Sequence, residues 1–262
     1  MSVFRGLVGL LSAPLLWLGQ LAHMFQMPAG AKLLQAAWWV SGQGERAKLA
    51  LAAMRKQEGL AQARGRAADW LDRRPCPEIA GFAALLALEA GDDDDARQFL
   101  QRGQALGQDR DGTLDLVEYV LAARGSDSQA LRDLVRRLDQ RRDLPPALCR
   151  LVGIEQAYDH LLEGRFDDAA RRANHLLAVA DCPPAEIALW ALALREGHDD
   201  QAERHLRNAG PANPELVQFQ ALGSAAIGRL DEVRSLLLWL QEHEPRVADS
   251  TVNLLRGKGV AI

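Results

Sequence analysis

One spacing restricts what this chain can fold into more than any other feature. Six glycines, Gly42, Gly91, Gly125, Gly164, Gly197 and Gly228, recur in the same local setting. Five residues beyond them stand Ala47, Ala96, Ala130, Ala169, Ala202 and Val233, and nine beyond stand Leu51, Leu100, Leu134, Ala173, Leu206 and Leu237. Six residues before them stand Ala36, Leu85, Tyr119, Tyr158, Ala191 and Leu222, and three before stand Trp39, Leu88, Ala122, Leu161, Leu194 and Ala225. Glycine ends a helix readily because it takes the left-handed conformation that other residues avoid. A small residue one turn into the next helix lets two antiparallel helices approach closely. The pattern therefore predicts a series of helix-turn-helix units.

Polar residues follow each turn, such as Asp92 to Asp95, Asp167 and Asp168, Asp199 and Asp200, and Asp231 and Glu232. Carboxylates there can cap free amides and meet the positive end of the helix dipole. A second break, marked by Pro145, Pro183 and Pro214, comes 17 to 20 residues after the glycine. Proline is tolerated in the first turn of a helix and disfavoured in its interior. Ala, Leu, Arg, Glu and Gln dominate the composition, which favours helix over strand.

The glycines follow one another at steps of 49, 34, 39, 33 and 31 residues. With this period the chain resembles the tetratricopeptide repeat family. The segment 161–177 carries the resemblance best, with Gly164, Phe166 and Ala169 at the family's turn glycine, aromatic and small-residue positions. Segments 195–206 and 226–237 follow, and the resemblance covers roughly 80–240. The family's large aromatic four residues before the glycine is replaced by Ala87, Leu121, His160, Ala193 and Ser224, with only Trp38 fitting, so the units are degenerate.

The resemblance implies an all-α fold, a right-handed superhelix of antiparallel helix pairs across 28–245. A segment over 1–27 precedes it, and a capping helix and tail over 246–262 end it. It also implies a protein-binding scaffold or, in a second reading, a structural subunit of a larger membrane-associated complex. In the family geometry the positions six and three before the glycine look toward a concave side. Leu85, Leu88, Tyr119, Tyr158, Leu161 and Leu194 then form a candidate partner groove, and the competing reading makes them ordinary core. Over 45–73 two readings stand, one long helix or two helices broken at Gly59.

Residues 6–25 contain no Asp, Glu, Lys or Arg. A helix of that length reaches about 30 Å, enough for a hydrocarbon core. Three readings follow: a membrane span, a signal peptide cut near Ala29–Ala31, or an amphipathic helix. In the third, Phe4, Leu7, Val8, Leu11, Leu15, Leu18, Ala22 and Phe25 form one stripe, opposite Arg5, Gly9, Ser12, Gly19, Gln20 and His23, with Leu16 the exception. That stripe has two uses, packing on the first repeat or docking on a membrane surface or partner. The expected location is the cytoplasm, at or near a membrane. Trp38 and Trp39 read as core in the first repeat, with a membrane interface as the alternative.

No phosphate-binding glycine loop, HExxH or calcium loop is present, and Cys76, Cys149 and Cys182 are too widely spaced for a CxxC site. The sequence thus predicts no enzyme, metal or cofactor. A net charge of −4 creates no global field for nucleic acid. Arg132, Arg136, Arg137, Arg141 and Arg142 alternate with Asp133, Asp139 and Asp143, which reads as a salt-bridged exposed face rather than a nucleic-acid surface.

Overall fold

A computed structural model describes residues 15–20, 29–41, 43–107, 109, 111–125, 128–141 and 143–261. Among the described residues the chain is helical and contains no strand. It divides into two compact units, Met1–Leu121 and Ala122–Ile262. The boundary falls inside the stretch 28–245.

The first unit holds α1 (Ala29–Ser41), α2 (Gly44–Glu58), α3 (Leu60–Arg73), α4 (Pro77–Glu89), α5 (Asp93–Leu106) and most of α6 (Thr113–Arg124). The second holds α7 (Ser128–Asp139), α8 (Pro146–Leu162), α9 (Phe166–Val179), α10 (Pro183–Arg195), α11 (Asp199–Ala209), α12 (Pro214–Ala226), α13 (Leu230–His243) and α14 (Pro245–Gly257). Neighbours in sequence pack as pairs: α1 with α2, α4 with α5, α8 with α9, α10 with α11, and α12 with α13.

Four of the six repeat glycines close their turns in one way. Gly91, Gly164, Gly197 and Gly228 have φ of 77°, 74°, 76° and 80°. In each, the glycine N–H bonds the carbonyl three residues back. The next N–H reaches five residues back, as in Asp92 to Ala87 at 2.9 Å, Arg165 to His160 at 2.8 Å, His198 to Ala193 at 2.9 Å and Arg229 to Ser224 at 2.9 Å. This is a Schellman closure, which satisfies the last helical carbonyls. Gly125 bonds Ala122 in the same three-residue step, and Gly42 lies outside the described residues.

Nothing lies within 4 Å of a Cβ placed on Gly197, so a side chain there meets only backbone strain. Gly197→Ala is expected to cost about 1–2 kcal/mol and Gly197→Asn less, because Asn tolerates the left-handed region. Denaturant midpoints of the two variants check the order; equal midpoints for alanine and wild type would show that the turn carries no strain.

The other breaks also obey local chemistry. Pro77, Pro146, Pro183, Pro214 and Pro245 begin α4, α8, α10, α12 and α14, where a missing N–H costs nothing. Residues 45–73 form two helices, broken at Gly59 with φ 95° and ψ 168°. That region is nearly exclusive to glycine. The extra length between Gly42 and Gly91 is therefore α3. Of the expected carboxylate caps, Asp92 accepts the Asp95 N–H at 3.1 Å. The N-caps of α9, α11 and α13 are Arg165, His198 and Arg229, which make no capping bond. Asp231 instead pairs with Arg234 at 2.9 Å, and Asp168 with Arg171.

Alanine sets the packing of the first unit. Ala47, Ala50 and Ala53 of α2, Ala63 and Ala67 of α3, and Ala80, Ala83, Ala84 and Ala87 of α4 are all fully buried. Small side chains let these helices approach closely at no loss of helix propensity. Around them Trp38 stacks on Trp70, with ring centroids 4.4 Å apart. Trp38 is core, as expected, whereas Trp39 is 40% exposed.

In the second unit the first helices of the pairs share one core. α8 contacts both α10 and α12. Tyr158 of α8 lies 4.8 Å from the Phe219 ring of α12, and its hydroxyl donates to the Pro184 carbonyl of α10 at 2.9 Å. The C-terminal helix α14 covers α12 and α13. Its end is tied down by Lys258, whose buried ammonium sits 2.6 Å from Asp159. The small residue five beyond the glycine is buried at Ala47, Ala96, Ala169, Ala202 and Val233. Ala130 alone among the six is exposed.

Candidate functional site

The second unit carries a cleft of about 620 Å³ bounded by the end of α7, the segment before α8, and the facing sides of α8 and α9. It begins with a glycine. At Gly153 of α8 an added Cβ would stand 2.8 Å from Leu176 Cδ2 and 3.4 Å from Arg172 Nε. The bare backbone lets both side chains of α9 lie flat across α8. Leu176 is buried there and helps form the apolar floor with Val152.

Arg172 is held more loosely. One Nη lies 3.5 Å from Asp139, at the outer limit of a hydrogen bond, and its Nε is buried with no partner among the described residues. Two further arginines line the cleft. Arg141 faces Asp143 at 3.1 Å, and Arg150 donates to the Asp181 carbonyl. His175 and the exposed Cys149 complete the polar lining. Val179, at the mouth, is 75% exposed. An arginine wall over an aliphatic floor suits a ligand that is anionic and apolar at once.

A second polar cluster sits in the first unit at the entrance to α6. Leu114 fits a notch made by two glycines: an added Cβ on Gly103 would meet Leu114 Cδ2 at 2.5 Å, and one on Gly81 would meet Thr113 at 3.2 Å. This seating draws Asp109 inward to 8% exposure, where it accepts the Leu114 N–H at 3.0 Å. Burial, reinforced by the neighbouring Asp111, pushes Asp109 up to about 6, although the Leu114 N–H opposes the rise. Burial also acts to raise Asp111, but the Lys48 ammonium and the Thr113 hydroxyl outweigh it and hold Asp111 at about 2. Lys48 already fills the place of a cation, and no group of metal-ligating side chains occurs among the described residues.

The predicted groove residues fall in both units. In the first, Leu88 is buried, Leu85 is half-buried against the core, and Tyr119 is half-buried. In the second, Tyr158 and Leu161 are buried, and Leu194 is half-buried against the cluster around Trp190. Leu88, Tyr158 and Leu161 thus present no open surface.

Of the predicted N-terminal stripe, Phe4, Leu7, Val8, Leu11, Ala22 and Phe25 lie outside the described residues. Residues 15–20 are helical. Leu15 is half-buried and Leu18 is 47% exposed, while Gly19, assigned to the polar side, is buried against Leu34. Leu16, the apparent exception, packs against the core. Trp17, 62% exposed, joins Leu18, Trp39 and Val40 as exposed apolar side chains of this unit.

No family model matches the chain, and no curated protein or solved structure matches it significantly.

Sequence reasoning missed Arg150, Arg172, His175 and Val179, and among the described residues of its basic cluster only Arg141 lines the cleft. Around the rest of that cluster Arg136 lies 3.8 Å from Asp133 and Arg132 donates to Gln129; Arg142 lies outside the described residues. The one usable signal was Gly153, a helix-interior glycine opposite the 172–176 turn.

Proposed function

We propose that this chain is a non-catalytic protein-interaction scaffold, built of tetratricopeptide-like helix pairs wound in a right-handed superhelix and held at a membrane surface by its N-terminal segment. The observation that carries the reading is the recurrence of one helix-turn-helix closure at Gly91, Gly164, Gly197 and Gly228. Units that repeat a backbone geometry while varying their side chains are suited to presenting surface rather than to enclosing one reaction centre.

The exposed Trp17, Leu18, Trp39 and Val40 support the membrane contact. Indole rings favour the lipid headgroup level, and an apolar face needs little charge to bind there. Among the described residues no helix is long and apolar enough to cross a membrane, so the proposed contact is with the surface.

The test uses the full chain with Trp17→Ser and Leu18→Ser together. Each side chain contributes about 1.5–3 kcal/mol if buried in lipid. The membrane-pelleted fraction, and flotation with phosphatidylcholine vesicles, are therefore expected to fall about tenfold or more. Unchanged flotation would remove the membrane part of the reading. Failure of the tagged wild-type chain to hold any stoichiometric protein partner would remove the scaffold part.

A further inference from the structure

We infer that the cleft between α8 and α9 is the peptide-docking site of this scaffold and takes an acidic segment carrying an aliphatic or aromatic anchor. This rests on the scaffold reading and adds the chemistry of the partner.

The argument begins with charge. The chain is net negative, yet the cleft gathers Arg141, Arg150 and Arg172 and only Asp139 among its acidic liners. Arg141 is balanced by Asp143, and Arg150 spends one Nη on a backbone carbonyl. Arg172 is the least satisfied: its Nε is buried with no partner among the described residues, and its Nη contact to Asp139 is 3.5 Å long. A guanidinium offers five N–H donors in a fixed fork that suits a carboxylate. An incoming Asp or Glu would give Arg172 a closer partner than Asp139 does.

The floor specifies the rest. Val179, 75% exposed, offers aliphatic surface beside the guanidiniums, over a floor backed by the buried Val152 and Leu176. An anion without an apolar body would leave that surface wet, and an apolar ligand without an anion would bury arginine donors unpaired. A volume of about 620 Å³ lies within the ordinary range of ligand pockets and accommodates a short segment rather than a folded domain. Nucleic acid would supply phosphates but no aliphatic anchor, and is the competing outcome of the test.

The full-length chain is immobilised and panned against a random heptapeptide library, and the affinity of an enriched peptide is measured by fluorescence anisotropy. The expected motif places Asp or Glu within a few residues of Leu, Ile or Phe. Arg172→Glu and, separately, Val179→Asp are each expected to weaken that peptide about tenfold or more. Val179 is exposed, so its variant guards against a loss caused by misfolding, and circular dichroism checks both. Acid-free or basic motifs, affinity unchanged in both variants, or displacement of the peptide by a short oligonucleotide would overturn the assignment. Peptides that bind but ignore Arg172 and Val179 would sink the cleft while leaving the scaffold reading standing. A library that yields no binder, together with no partner for the full chain, would remove both.

Discussion

Tyr158→Ala is expected to destabilise the second unit by about 3–5 kcal/mol, the usual range for removing a large buried ring. The residue is 3% exposed and joins three helices, through its ring on Phe219 of α12 and its hydroxyl on the Pro184 carbonyl of α10. Burial raises the phenol well above its ordinary pKa and so keeps the donor protonated. Tyr158→Phe removes only the hydrogen bond and should cost about 1 kcal/mol. Peptide-resolved hydrogen exchange locates the effect: protection should fall across α8, α10 and α12 and hold in α2 and α4. Alanine tolerated to within about 1 kcal/mol would mean that α8 and α12 do not share a core.

Asp109→Asn is expected to stabilise the first unit at neutral pH, by on the order of 1–2 kcal/mol. Asp109 is raised to about 6, so the folded state holds its proton more tightly than the unfolded state. Its stabilisation is full below the ordinary carboxylate range and is lost as pH rises through about 6. Asp111 acts in the opposite sense. Held at about 2, it stabilises above the ordinary range and loses that contribution as pH falls toward 2. Together they place the optimum of this loop near pH 4 by ordinary carboxylate values. Asparagine keeps an acceptor for the Leu114 N–H and abolishes the charge. Denaturation midpoints at pH 5 and pH 7 should therefore converge in the variant and differ in the wild type, with the wild type weaker at pH 7. A wild type equally stable at both values would show that Asp109 does not ionise at a cost.

Much of the helical order was legible because it rests on main-chain chemistry. The degenerate positions four before the glycines show why. Ala87, His160, Ala193 and Ser224 range from a methyl group to an imidazole, yet each supplies the carbonyl that the residue after the glycine needs. The large aromatic that the family places there is not required for the turn. Proline starts were readable for the same local reason, whereas the break at Gly59 stayed open between two readings until the structure showed it.

Of the N-terminal stripe the structure describes Leu15, half-buried, and Leu18, exposed, with Gly19 of the opposite side turned inward. A helical stripe counts apolar residues and gives glycine to the solvent side. Gly19 faces inward because its lack of a side chain admits Leu34, and the neighbouring Leu18 is 47% exposed. The cleft was invisible for a related reason: Arg172 acquires its setting only when α9 lies across Gly153.

The amino-acid sequence alone determined where helices begin and end, because left-handed glycines, proline first turns and alanine runs act through bonds within a few residues. Tertiary structure alone decided which side chains were used up in cores and which were left open. That choice placed Tyr158 and Leu161 inside and Arg172 over a cleft. It depends on distances between helices remote in sequence, set by small residues at the points of closest approach.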